Sequence, residues 1–290
     1  MDVQALRREL DKLALVTNEE WLQSLDARKL AELEFHNRNR DWQILAKDLP
    51  QDTYDKFYGN RKYYLAAQRS KDYVGNWIDR YAPGKIFLDY ACGNGGMARR
   101  AARAGAELVI GVDISDISIA NAKAAALEEG LSANTYFVQG DAENTRLPGD
   151  SIDTIICSGM LHHLDLSYAF PELRRILKPG GRILAVEALD YNPLIKLYRL
   201  MTPAMRTEWE KAHILSLKDI SFARRFFDVG DIKYWHITSY VGGKIPTLLP
   251  ALAAFDRILE NIPLVQLMAW IFTFELVRSG RSRPAGAEQN

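Results

Sequence analysis

Three acids stand out by where they fall: Asp89, Asp113 and Asp141 each close a short apolar run of strand character. Just past the first lies a small-residue turn, Ala91-Cys92-Gly93-Asn94-Gly95-Gly96, which opens a helical stretch. Gly93 and Gly95 have no Cβ, so a ligand can approach the backbone there. Asp113 follows these glycines at about the 20-residue spacing at which a strand-end carboxylate accepts hydrogen bonds from both hydroxyls of a ribose. Each feature has a plainer reading, because glycines are common at strand-to-helix turns and Asp often caps the helix after a strand. Three acids on successive strands beside one such turn favour the ligand-binding edge of an open α/β sheet. Asp89 would repel a pyrophosphate. It suits a ligand that carries positive charge, such as an adenosine derivative with an amino group and a sulfonium.

The elements that must position these residues follow from the pattern. Residues 85–89, 107–113, 136–139, 152–158 and 182–187 read as short strands, and 95–105, 115–129 and 168–177 as helices between them. This alternation predicts βαβ units and a parallel sheet. Lys178-Pro179-Gly180-Gly181 is expected to be a turn that stops a helix before the chain re-enters the sheet. Beyond Glu187 the alternation breaks: 188–228 is irregular, with Pro193 and Pro203 as breakers, and 233–238 and 270–277 have the β-branched and aromatic content of two further strands. Near the N-terminus, Val3, Leu6, Leu10 and Leu13 recur at helical spacing, and Thr17 to Glu20 reads as a capping box opening a helix with Trp21, Leu22 and Leu25. Residues 280–290 read as a mobile tail.

Composition narrows the function classes. Among 290 residues, 37 Lys plus Arg balance 37 Asp plus Glu, so nothing suggests the basic excess of a nucleic-acid protein. At 48% hydrophobic and 26% charged residues, the chain is an ordinary globular one. Cys92 and Cys157 form no CxxC pair and stand near no histidine cluster of zinc-finger spacing, which predicts neither disulfide nor metal and fits a reducing cytoplasm. Residues 1–10 lack the apolar core of a secretory signal. The longest uncharged apolar stretch, 261–274, is shorter than the ~20 residues of a membrane span.

Taken together, 85–187 resembles the class I S-adenosylmethionine-dependent methyltransferases, specifically the small-molecule branch that includes ubiquinone and menaquinone methyltransferases. Leu88-Asp89-Tyr90-Ala91-Cys92-Gly93-Asn94-Gly95 is similar to the family's first motif, and Gly111-Val112-Asp113-Ile114-Ser115 to its second. Gly140-Asp141-Ala142-Glu143 with Leu147-Pro148 resembles the adenine-side loop. Ser151-Ile152-Asp153, Leu161-His162-His163-Leu164 and Leu177-Lys178-Pro179-Gly180-Gly181 resemble the elements that follow. Ala91 departs from the pattern, standing where most members have the first glycine of the turn.

The resemblance implies an α/β, Rossmann-like seven-stranded sheet, mostly parallel with an antiparallel last strand. Residues 1–65 would be a helical cap or oligomerisation segment, 66–279 the cofactor-binding domain, and 188–228 a substrate-pocket insert. S-adenosylmethionine is the implied cofactor, with Asp89, Ala91, Gly93, Asn94 and Gly95 around its methionyl portion and Asp113 and Ile114 at the ribose. Asp141 and Ala142 would lie against adenine, and Ser158 near the methionine amino group.

Methyl transfer is an in-line displacement, so the protein must hold a nucleophile about 3 Å from the methyl carbon with water excluded. A base is needed only if the nucleophile carries a proton, and His162 and His213 are the candidates. His163, Glu187, Tyr191, Arg199 and Arg206 are candidate pocket residues, suited to a largely apolar metabolite with an acidic or polar end. Leu194, Leu197 and Met201 have helical spacing and either pack the insert onto the sheet or meet the substrate. Tyr54, Phe57, Tyr58, Tyr63 and Tyr64 belong with a cap that closes over the site. The expected activity is methylation of O, N or C in a small metabolite. Its rivals are cyclisation or elimination at the same site, and a non-catalytic cofactor-binding regulator. No nucleic-acid partner is expected, and a homodimer or higher homo-oligomer is compatible with the amphipathic N-terminal segment.

Overall fold

β1 (Ile86–Tyr90) is buried along its whole length, as a strand must be when layers cover both faces of its sheet. Its side chains alternate: Ile86, Leu88 and Tyr90 enter one apolar cluster and Phe87 the other. β2 (Leu108–Asp113) and β3 (Thr135–Gln139) pair in parallel on one side of β1. β4 (Ile152–Ser158) and β5 (Leu177–Ala188) continue the parallel sheet on the other. β6 (Asp228–Trp235) is the edge, and β7 (Ile271–Val277) lies antiparallel between β5 and β6. The seven-stranded order β3-β2-β1-β4-β5-β7-β6 is Rossmann-like, with the expected antiparallel last strand. Strand order reverses between β1 and β4, which puts the natural ligand crevice at the C-terminal ends of these strands.

These features come from a computed structural model, which describes residues 2–45 and 61–280. Tyr54, Phe57, Tyr58 and most of the expected tail lie outside them. The N-terminal segment is helical as expected: helix Val3–Leu13 buries Leu6 and Leu10 in the main core, and Asn18–Gln23 opens with the capping box of Thr17 and Glu20. A third helix, Ala27–Leu45, reaches the ends of the strands. No helix among the described residues is long and apolar enough to cross a membrane.

Two sequence expectations are corrected. Lys178 to Gly181 is not a turn ahead of a strand but an irregularity inside β5: Leu177 already pairs with Ile152, the ladder resumes at Thr154 and Arg182, and Gly180 donates its N–H to Arg278. The insert after β5 is regular where polar caps start it, with Asn192, Thr207 and Ser216 opening the helices Pro193–Met201, Glu208–Ala212 and Leu217–Ala223. Of the two readings open for Leu194, Leu197 and Met201, packing onto the sheet does not hold, since all three are exposed, while Leu194 lines a cavity beyond β5. A further helix, Leu249–Leu259, lies between β6 and β7.

Candidate active site

The turn after β1 bends through three left-handed residues, Ala91 at φ 59°, Gly93 at 50° and Gly95 at 71°. Glycine adopts this region freely, whereas Ala91 carries strain of about 1 kcal/mol, which accounts for the family's usual glycine. At Gly95 an added Cβ would lie 2.8 Å from the Phe137 ring and 2.9 Å from the Ala122 Cβ. The turn delivers the N–H of Gly93 to Asp113 Oδ2 at 2.7 Å, and Ser115 N–H meets Oδ1 at 2.9 Å. Asp113 therefore staples two loops, the plainer of its two readings. Each of its oxygens still has a lone pair to offer. Asp89 accepts the N–H of Ala98, in the first turn of helix Gly96–Arg103, at 2.8 Å. Burial pushes its carboxyl from the ordinary 3.8 up to about 7, and the nearby charge of Asp113 adds to the rise.

A cavity of about 100 Å³ opens at the strand ends, lined by Ala91, Asp113, Ile114, Asp141, Ala142 and Ser158. Asp89, near the end of β1, and Gly93, Asn94 and Gly95 of the turn that follows are not in this lining; Asn94 accepts a 3.4 Å bond from Asn121. Lys29, Glu32 and His36 of helix Ala27–Leu45 are also in the cavity's wall. Lys29 Nζ sits 2.6 Å from Asp141 Oδ2 and 3.1 Å from Glu143, and Arg28 holds Glu143 through both oxygens at 2.7 Å. Helix Ala27–Leu45 is thus clamped onto the acid expected to meet adenine.

A second cavity, about 390 Å³, lies beyond β5 and is mainly apolar and aromatic, with Tyr63, Tyr64, Ile195, Tyr198, Met205 and Trp270 in its wall. Its cations are Arg199, Arg206 and Lys244. Arg199 is within 3.4 Å of Asp190, and Arg206 within 3.4 Å of Glu210. Burial and the charge of Arg206 lower the Arg199 pKa, and burial raises that of Glu210. The 3₁₀ turn Leu161–His163 separates the two cavities: His162 faces the larger and His163 the smaller, their ring centroids 4.2 Å apart.

Glu187, fully buried near the end of β5, orients this turn. Its Oε1 accepts the N–H groups of Met160 (2.9 Å) and Leu161 (2.7 Å), and its Oε2 lies 2.6 Å from His162 Nδ1. Burial works against a charged His162, but the carboxylate's charge and hydrogen bond outweigh it and the pKa rises. His163 moves the other way, through burial and the charge of His162.

Of the sequence candidates, Arg199 and Arg206 line the larger cavity, Glu187 stands behind His162, and His163 belongs to the smaller cavity. His213 is not brought to either: its ring stacks on Trp209 at 3.7 Å in an exposed cleft. Tyr191 packs against the core and accepts the N–H of Leu217 at 3.2 Å. Tyr240, Val241 and Lys244 were missed, since their segment has no motif; Tyr63 and Tyr64 were signalled by the aromatic run.

Residues 87–181 match the methyltransferase domain family. Over 127 residues the chain is 33% identical to a sterol 24-C-methyltransferase of Gibberella zeae, covering 43% of this chain and 33% of that protein. It is 30% identical over 129 residues to a ubiquinone biosynthesis O-methyltransferase of Pseudomonas paraeruginosa, covering 43% and 54%. The matches therefore span about a third to a half of these curated relatives. Among solved structures, magnesium protoporphyrin IX methyltransferase from Synechocystis, with bound S-adenosylhomocysteine, shares the fold at TM-score 0.56 and 20% identity, covering 87% of this chain and 100% of that one. The cyclase SpnF does so at 0.53 and 22%, covering 73% and 82%.

Proposed function

We propose that this protein, whose residues 87–181 form a methyltransferase domain, transfers the methyl group of S-adenosylmethionine to a hydroxyl oxygen of a small, largely apolar acceptor with an anionic end. Two acids at the strand ends support this cofactor. Asp113 keeps lone pairs for ribose hydroxyls, and Asp89 is a desolvated carboxyl that a neighbouring cation would relieve. When bound, the cofactor supplies an electrophilic methyl group on a sulfonium.

The observation that carries the choice of acceptor is the His162–Glu187 pair at the wall between the two cavities. With the carboxylate at Nδ1, a neutral His162 carries its proton there and leaves the Nε2 lone pair for the acceptor's proton. Glu187 then stabilises the imidazolium that forms, and its two backbone donors keep it in place. Arg199 and Arg206 supply charge-assisted hydrogen bonds to the anionic end, while Tyr64, Tyr198 and Trp270 hold the apolar body and exclude water.

Incubating the full chain with a metabolite extract and S-adenosylmethionine bearing a deuterated methyl group tests this by mass spectrometry. The expected result is an extract component that gains one labelled methyl group, at a rate that falls sharply in His162→Gln. Cofactor binding with no labelled product would overturn it in favour of a non-methylating role.

A further inference from the structure

Where helix Ala27–Leu45 meets the 161–163 turn, a carboxylate and two imidazoles come together. Glu32 Oε2 lies 2.9 Å from His163 Nδ1 and 3.8 Å from His36 Nε2, and all three ligand atoms fall within 4.8 Å of one another. Zinc bonds of about 2.0–2.1 Å place tetrahedral ligand atoms about 3.4 Å apart, between the two separations found. We propose that Glu32, His36 and His163 bind one divalent transition-metal ion such as zinc, which fastens helix Ala27–Leu45 to the turn between the two cavities.

The donor set suits such an ion. Two imidazoles and one carboxylate are borderline ligands that favour zinc, iron or cobalt over magnesium or calcium. Glu32 and His36 stand one helical turn apart, so both project from the same face of helix Ala27–Leu45. Glu32 is buried, and its ion-pair partners among the described residues are the two histidines. The closest cations on the same helix, Arg28 and Lys29, are already neutralised by Glu143 and Asp141. Thr207 donates its hydroxyl to Glu32 Oε1 at 2.5 Å, fixing the carboxylate with Oε2 toward the imidazoles. Outer-shell bonds of this kind orient metal ligands.

A second grouping, His162, His163 and Glu210, shares His163. There Glu210 lies beside Arg206 at 3.4 Å, so its carboxylate is already neutralised, and the free nitrogen of His162 is the one that the proposed function gives to the acceptor's proton. All three residues of the first group line the smaller cavity, so the ion would join its two walls, one from helix Ala27–Leu45 and one from the 161–163 turn.

The full chain, stripped with chelator and dialysed, would be titrated with zinc chloride by calorimetry and with cobalt chloride by visible absorption. One zinc ion per chain at micromolar or tighter affinity is expected, with cobalt bands of a four- or five-coordinate site. His36→Ala and Glu32→Gln should each weaken zinc binding at least about tenfold, and Glu210→Gln should leave it unchanged. Far-ultraviolet circular dichroism checks that the variants fold; His36 is partly exposed, so His36→Ala is the mild one. Zinc should also slow proteolytic cleavage within residues 1–45 of the wild type. Absence of stoichiometric binding, binding that survives both His36→Ala and Glu32→Gln, loss in Glu210→Gln, or unchanged proteolysis with zinc bound would overturn the proposal.

Discussion

Replacing Asp89 with Asn should make the ligand-free protein more stable and its cofactor binding weaker. The carboxyl is buried, accepts one backbone N–H, and titrates near 7 instead of 3.8. For an acid whose folded value is raised, the folded chain keeps a proton that the unfolded chain has lost. Stability therefore falls as pH rises from about 4 to 7 and stays reduced above that. The span corresponds to roughly 4 kcal/mol at about 1.4 kcal/mol per unit. Asn keeps an oxygen for Ala98 but introduces a buried NH₂, which costs about 1–2 kcal/mol. The net gain at pH 8 is then about 2 kcal/mol, a rise in Tm of roughly 3 °C at this chain length. At pH 5, where Asp89 is largely protonated, the gain should vanish. Thermal melts of both proteins at the two pH values measure the difference. Calorimetry in buffers of different ionisation enthalpy adds a second readout: near pH 7 the wild type should release about half a proton on binding S-adenosylmethionine, and Asp89→Asn none. A variant equally destabilised at pH 5 and pH 8, or buffer-independent heats for the wild type, would refute the reasoning.

His162→Gln should lower kcat by about 10²–10⁴ while S-adenosylhomocysteine affinity, read by calorimetry, stays the same. Arg199→Met should raise KM for an anionic acceptor roughly tenfold or more, since a charge-assisted bond contributes about 1.5–3 kcal/mol, and leave cofactor affinity unchanged in the same titration. Gly95→Ala combines a left-handed φ of 71° with contacts of 2.8 and 2.9 Å from the new Cβ. Urea unfolding should show a loss of about 2–4 kcal/mol.

Much of the sheet could be read from the sequence because its signals are local. Asp113 and Ser158 end strands where alternation and glycine punctuation place them, and β7 follows from a β-branched and aromatic run. The boundaries that moved, as at Lys178 to Gly181, are places where tertiary pairing overrides turn chemistry. Pairings across the chain were not legible. Lys29 with Asp141 and Glu32 with His163 join residues 112 and 131 positions apart, and no periodicity marks such partners. His213 was chosen by residue type alone, and type does not reveal that its ring would lie flat on Trp209. Exposure of Leu194, Leu197 and Met201 was hidden for a related reason: helical spacing shows which residues share a face, not what the face meets.

The proposed function requires S-adenosylmethionine to bind at the strand ends around Asp113, and calorimetric titration of the full chain with this compound, beside Asp113→Ala, measures that binding. Saturable one-to-one binding by the wild type is expected, weakened by about 1–3 kcal/mol in the variant, where two ribose hydroxyls lose a charged acceptor. No binding at millimolar cofactor would contradict it, and so would an Asp113→Ala protein that folds and binds as tightly as the wild type.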